Sequence, residues 1–171
     1  MILREHATAS VRSSALHSAC GHYRFRLDRI WAPGACVLWV MLNPSTATEV
    51  RNDPTVERCE RRSRAMGFAG FTVCNLFAWR STDPAGLWRA ADPVGAGNGA
   101  VILEASAGAG LILCAWGTHG ARDGRGAEVA RMLRAAGHRL HVLGLTRGGQ
   151  PRHPLYVAYA AGAVPWLPQA S

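Results

Sequence analysis

Four groups of polar residues, each set against a short apolar run, carry most of the side chains in this chain that could do bond chemistry. Asn43-Pro44-Ser45-Thr46 follows Cys36–Leu42. Asn75 stands inside Phe71–Phe77, which leads to Trp79-Arg80-Ser81-Thr82. Trp116-Gly117-Thr118-His119 closes Leu111–Trp116. Leu140–Leu145 leads through Thr146-Arg147-Gly148-Gly149 to Arg152-His153-Pro154-Leu155-Tyr156. The imidazole of His153 is the best-placed titratable electrophile, suited to hydrogen-bonding a charge that develops during a reaction. Asn75 brings amide donors and acceptors into apolar surroundings, where they must be satisfied or used on a ligand. Asn43 is fit to orient a water molecule but is a poor proton acceptor. Each also has a plain structural reading. Asn-Pro is a common turn pair, His119 and His153 serve equally as loop residues, and Asp53 ahead of Pro54 is first a helix N-cap.

These residues need a scaffold, and the apolar runs supply it. They are short, bounded by Gly or Pro, and apolar on successive positions, as strands covered on both faces are. Helical patterns lie between them. Asp53-Pro54 opens the first, which runs to Gly67 with Val56, Cys59, Ala65 and Met66 toward the sheet and its charged residues outward. Asp83-Pro84 opens a second, Asn98–Ala107 forms a third and Ala127–Ala136 a fourth. Strands alternating with helices predict an α/β fold with a parallel sheet between helix layers. His22–Trp31 alternates polar and apolar residues and is predicted to be an exposed strand at a sheet edge. In such a sheet the ligand crevice lies beyond the carboxyl ends of the strands, where the four polar groups fall.

The 171 residues fit one domain, with residues 1–20 as a flexible or edge segment. All 19 basic residues are Arg, and 11 acids leave a net charge of +8. Absence of Lys excludes a P-loop NTPase, a pyridoxal Schiff base and any lysine-based lyase step. The Arg excess suits phosphates, although coding bias explains it equally well. The five Cys include no Cys-x-x-Cys pair, and Cys36, Cys74 and Cys114 lie in or beside apolar runs, so free buried thiols are expected and a zinc site is not. No stretch reaches the ~18 apolar residues of a membrane span, and the N-terminus lacks a signal-peptide core; a cytoplasmic monomer is the expectation.

The order of Leu42-Asn43-Pro44-Ser45-Thr46-Ala47, Asp53-Pro54-Thr55, Asn75-Leu76-Phe77 and Arg152-His153-Pro154-Leu155-Tyr156 resembles an uncharacterised bacterial domain family. That family in turn resembles the uracil-DNA glycosylase superfamily, nearest its mismatch-specific branch. The resemblance implies a three-layer α/β/α sandwich with a short central parallel sheet. It also implies a monofunctional DNA glycosylase that hydrolyses the N-glycosidic bond of a flipped uracil or another deaminated or damaged base, without metal or cofactor. Asn43 and His153 would be catalytic. Asn75, Pro44, Ser45 and Phe77 would bind the base. Arg80, Thr82, Arg147, Gly148, Gly149, Arg152, Leu155 and Tyr156 would contact single-stranded or mismatched DNA, with Leu155 or Tyr156 as the wedge. Met41 and Ser45 replace residues usual in the first superfamily motif, which keeps an alternative open: a non-catalytic nucleotide or nucleic-acid binding module with a glycosylase-like pocket.

Overall fold

Alternate residues of the run at 36–41 enter opposite sides of one sheet, so the run has no polar face. The computed structural model describes residues 1–168. In β4 (Cys36–Met41), Val37, Trp39 and Met41 pack into one hydrophobic core, and Leu38 and Val40 into another. Helix α1 (Pro54–Ala65) covers the first core with Val56 and Cys59. Helices α2 (Pro84–Arg89), α3 (Asn98–Ala107) and α4 (Arg125–Ala135) cover the second, through Leu87, Val101, Ile102, Val129, Ala130 and Leu133.

The remaining strands are β1 (Ile2–Ala7), β2 (Arg12–His17), β3 (Arg24–Ile30), β5 (Gly70–Asn75), β6 (Ala109–Cys114), β7 (Leu140–Val142) and β8 (Val164–Pro165). The eight form one sheet in the order β1-β2-β3-β5-β4-β6-β7-β8. The four apolar runs are its parallel centre, β5-β4-β6-β7, as the alternation with helices predicts. The sheet as a whole is mixed. β1, β2 and β3 extend it antiparallel on one side, and β8 pairs antiparallel with β7 on the other. Residues 2–17 thus form the edge hairpin.

Two local expectations are corrected. β3 is not an exposed edge strand: it lies between β2 and β5, and Arg24, Asp28 and Arg29 are buried with Phe25 and Leu27. A bulge explains how it holds both faces. His17 opposes Arg24 while the next β2 residue, Leu16, opposes Arg26, leaving Phe25 as the extra residue. Phe25 therefore joins the α3 side, Leu27 the α1 side, and the alternation of charge resets between them. In α1 the buried stripe is Val56, Cys59, Arg62 and Ser63, while Ala65 is exposed. Arg62 turns inward because the chain end supplies acceptors. Its Nη1 donates to the Ala161 carbonyl (2.8 Å), and its Nη2 to Val157 and Ala158 (3.0 and 2.8 Å).

All five Cys are free; Cys59, Cys74 and Cys114 are buried, Cys36 is partly so and Cys20 is exposed. Among the described residues no helix is long and apolar enough to cross a membrane.

Candidate functional site

The chain leaves β4 toward α1 on one face and β5 on one side, and leaves β6 toward α4 on the other face and β7 on the opposite side. The strand ends of β4 and β6 therefore part at a topological switch point, the place where open α/β sheets bind ligands. A cleft of about 780 Å³ opens there, lined by Leu42, Asn43 and Ser45 and by Trp116–His119 from those two ends, and by Thr82, Arg147, Arg152, Leu155 and Tyr156. The last group arrives through a hairpin. Leu145 pairs with Pro151, Gly149 closes the loop at positive φ, and the Arg152 N–H donates to the Gly144 carbonyl (2.9 Å). Gly117 N–H donating to the Pro151 carbonyl (2.8 Å) ties this hairpin to the β6 end and sets His153 over the sheet rim.

A smaller pocket of about 80 Å³ continues inward beneath the N-terminus of α1. Asn43, Asn75 and His153, far apart in sequence, all line it, with Ser45, Asp53 and Arg24. Its walls include Met41, Val56 and Val73. Asn43 is held by its own amide: Nδ2 donates to the carbonyls of Pro44 (3.0 Å) and Ser81 (2.8 Å). Both of its donors are thereby engaged, and Oδ1 is left as an acceptor. Asn75 is 1% exposed and its Nδ2 has no partner. Its main chain is fixed from behind, because Asn98 Nδ2 donates to the carbonyls of Asn75 and Leu76 (2.9 and 3.1 Å), and Arg125 Nε also donates to Leu76 (3.1 Å).

His153 caps the 3-10 turn Pro154–Tyr156, its Nδ1 accepting from the Leu155 N–H (3.3 Å). The ring proton therefore sits on Nε2. Burial pushes the imidazole pKa down to about 4, outweighing the opposing influence of Asp53. His153 is thus a neutral hydrogen-bond donor at physiological pH. Because its folded pKa lies below the unfolded value, the unfolded chain binds the extra proton between about pH 6.5 and 4, so this group costs stability as pH falls through that window. An NMR titration of the ring should show protonation only near pH 4; a midpoint near 6.5 would refute its burial.

Asp53 is a structural anchor. Oδ1 accepts from Val56 N–H (2.9 Å) as the N-cap, and Oδ2 from Ala47 N–H (3.1 Å), fastening the Asn43–Ala47 loop to α1. Asp53→Ala removes a cap and orphans a buried amide, a loss of about 2–3 kcal/mol in urea denaturation. A loss under 0.5 kcal/mol would mean that neither bond matters.

Several residues implied by the resemblance stand elsewhere. Phe77 is buried on the α3 side, edge-on to Trp88, and does not line either pocket. Arg80 turns away from the cleft and donates to the Gly21 carbonyl (3.2 Å). Pro44 is buried and acts through its carbonyl, which also accepts from Ser81 N–H. The Gly149 N–H is engaged by Thr146 within the hairpin loop, and Gly148 sits at that exposed loop tip. Conversely, Arg24 lines the inner pocket without having stood out in the sequence, and Thr55 and Trp116, which stood there only within motifs and without a role, line the site too. Asp53-Pro54-Thr55 carried a signal for one of them, since its cap places Thr55 at the rim.

Residues 24–155, which hold every residue lining the inner pocket, match the family described as "Protein of unknown function (DUF1643)". This chain belongs to the DUF1643 family. The matched span of the DUF1643 domain begins at Arg24 and leaves the β1–β2 hairpin outside. No curated protein and no solved structure matches the chain.

Proposed function

We propose that this DUF1643 domain hydrolyses the N-glycosidic bond of a base extruded from DNA. The observation that carries the proposal is the inner pocket, which Asn43, Asn75 and His153 line together at a switch-point cleft, with the Asn75 Nδ2 unpartnered. One water needs roughly 10–15 Å³ of such space, so about 80 Å³ takes one small ring. The resemblance to uracil-DNA glycosylases, in particular to their three-layer sandwich, supports the same reading, and the helices on both sheet faces agree with it.

A base must leave the stack to reach this depth, at a cost of a few kcal/mol that favours mismatched or single-stranded targets. Arg147 and Arg152 at the mouth, with the +8 net charge, draw the phosphate backbone in. Asn75 holds the base edge. As the bond from C1′ to the base nitrogen breaks, its electron pair leaves with the base, and negative charge collects on a ring carbonyl oxygen. The His153 Nε2–H hydrogen-bonds that oxygen. Asn43 Oδ1 holds the water whose oxygen bonds to C1′; the water's proton passes to solvent, and the released base takes one up from solvent. Preorganised donors of this kind contribute about 2.7–4 kcal/mol to lowering a barrier.

The second reading, a binding module that holds a base without cleaving it, has one observation in its favour: each Asp53 oxygen already accepts an amide hydrogen bond, which commits the carboxylate at the pocket to anchoring the Asn43–Ala47 loop. End-labelled oligonucleotides carrying uracil, hypoxanthine or xanthine, incubated with the protein and then with alkali, separate the two. Alkali-labile products that disappear with Asn43→Ala support hydrolysis; retention of the oligonucleotide without product supports binding alone.

A further inference from the structure

One buried cation in the inner pocket has no part in the chemistry above. Arg24 is 2% exposed, and of the five N–H donors of a guanidinium only Nη1 meets a protein acceptor, the Ala47 carbonyl. Its Nε is buried without a partner. Among the described residues no carboxylate lies within ion-pair distance of it. The other buried arginines make more bonds, even though Arg62 Nε and Arg125 Nη2 are also without partners. Arg62 makes three carbonyl bonds, Arg29 reaches Asn52, Asp28 and Thr48, and Arg125 pairs with Glu128 and Leu76. Leaving a buried charge so poorly served is unfavourable, and it is tolerated where a ligand supplies the missing acceptor. Arg24 lines the pocket that Asn75 also lines, between the apolar walls Met41, Val56 and Val73. The β3 bulge is what turns it there.

We infer that Arg24 makes this pocket select bases whose inner edge is a keto oxygen over bases with an amino group there, an inference that rests on the base-release reading. The two side chains offer different hydrogen-bonding groups. A carboxamide has a donor and an acceptor end and can turn over to suit either edge, so Asn75 alone grips a base without sorting it. A guanidinium has donors only. Opposite a carbonyl it gains a charge-assisted hydrogen bond; opposite an exocyclic amine two sets of N–H groups face each other and both stay unpaired. Uracil against cytosine and hypoxanthine against adenine are the pairs on which Arg24 would act.

Equilibrium binding of free uracil, cytosine, hypoxanthine and adenine to the wild-type protein, Arg24→Met and Arg24→Gln tests this, with orthophosphate as a further probe and thermal melts of each variant. Wild type should bind the keto member of each pair roughly tenfold or more tightly than the amino member. Arg24→Met should lose that preference and bind uracil roughly tenfold more weakly, with a Tm unchanged or raised because an uncompensated buried charge is gone. Arg24→Gln, able to keep the Ala47 bond, covers the case in which the methionine variant fails to fold. Wild-type binding of the keto bases with the preference intact in both variants overturns the role of Arg24 and leaves base release standing. Binding of none of the four bases overturns both, and orthophosphate binding that excludes uracil makes the site one for anions and overturns the keto selection.

Discussion

His153→Ala should lower base release by about 10²–10³-fold, the loss seen when one preorganised donor to a developing oxyanion is removed. The fold should survive. The one protein hydrogen bond of the imidazole, from the Leu155 N–H at 3.3 Å, is a long one. A melting curve near wild type with product formation reduced a hundredfold is the expected pair of results. The wild-type rate should carry no inflection from His153 between about pH 5 and 8, because burial holds the ring neutral down to about 4. An inflection near pH 6.5 that vanishes in the variant would mean that His153 transfers a proton instead of donating a hydrogen bond.

Asn75→Leu should weaken binding of every base by at least tenfold while leaving the protein as stable as before or more so. The reason is the state of the amide: its Nδ2 is buried with no partner, so the folded protein bears its desolvation and recovers it only with a ligand bound. Leucine has the same branched arrangement of four heavy atoms and no polar group to desolvate. If the amide served structure instead, the variant would melt several degrees lower. Because sorting of keto from amino edges is assigned to Arg24, the preference should persist in Asn75→Leu. Loss of affinity with the preference intact separates gripping from sorting.

The central strands were legible because burial on both faces leaves a simple mark, an apolar run ended by polar residues. Asp53-Pro54 and Asp83-Pro84 marked the starts of α1 and α2 for an equally local reason, since caps act within one turn. The convergence of Asn43, Asn75 and His153 was legible from topology, because parallel strands bring their carboxyl ends to one rim. What the sequence hid depends on distant partners. The alternation of 22–31 reads as an exposed strand, and only pairing with β2 and β5 shows the bulge that sends Arg24 into the pocket and Arg26 toward Glu104 of α3. Arg62 reads as a solvent-facing residue until the carbonyls at 157–161 come into place. Phe77 lies two residues past Asn75, beyond the end of β5, where strand alternation no longer holds, and its ring enters the opposite core.

The reading stands or falls on whether a heterocycle enters the inner pocket. The most direct measurement is a titration of isotopically labelled protein with free uracil, following the Asn75 side-chain NH2 and the His153 Nε2–H by NMR. Both resonances should shift together and saturate at one concentration, with the Asn43 amide perturbed beside them. Saturable binding that moves only the Arg147 and Arg152 resonances at the cleft mouth, or no change at Asn75 at any uracil concentration, would contradict the account.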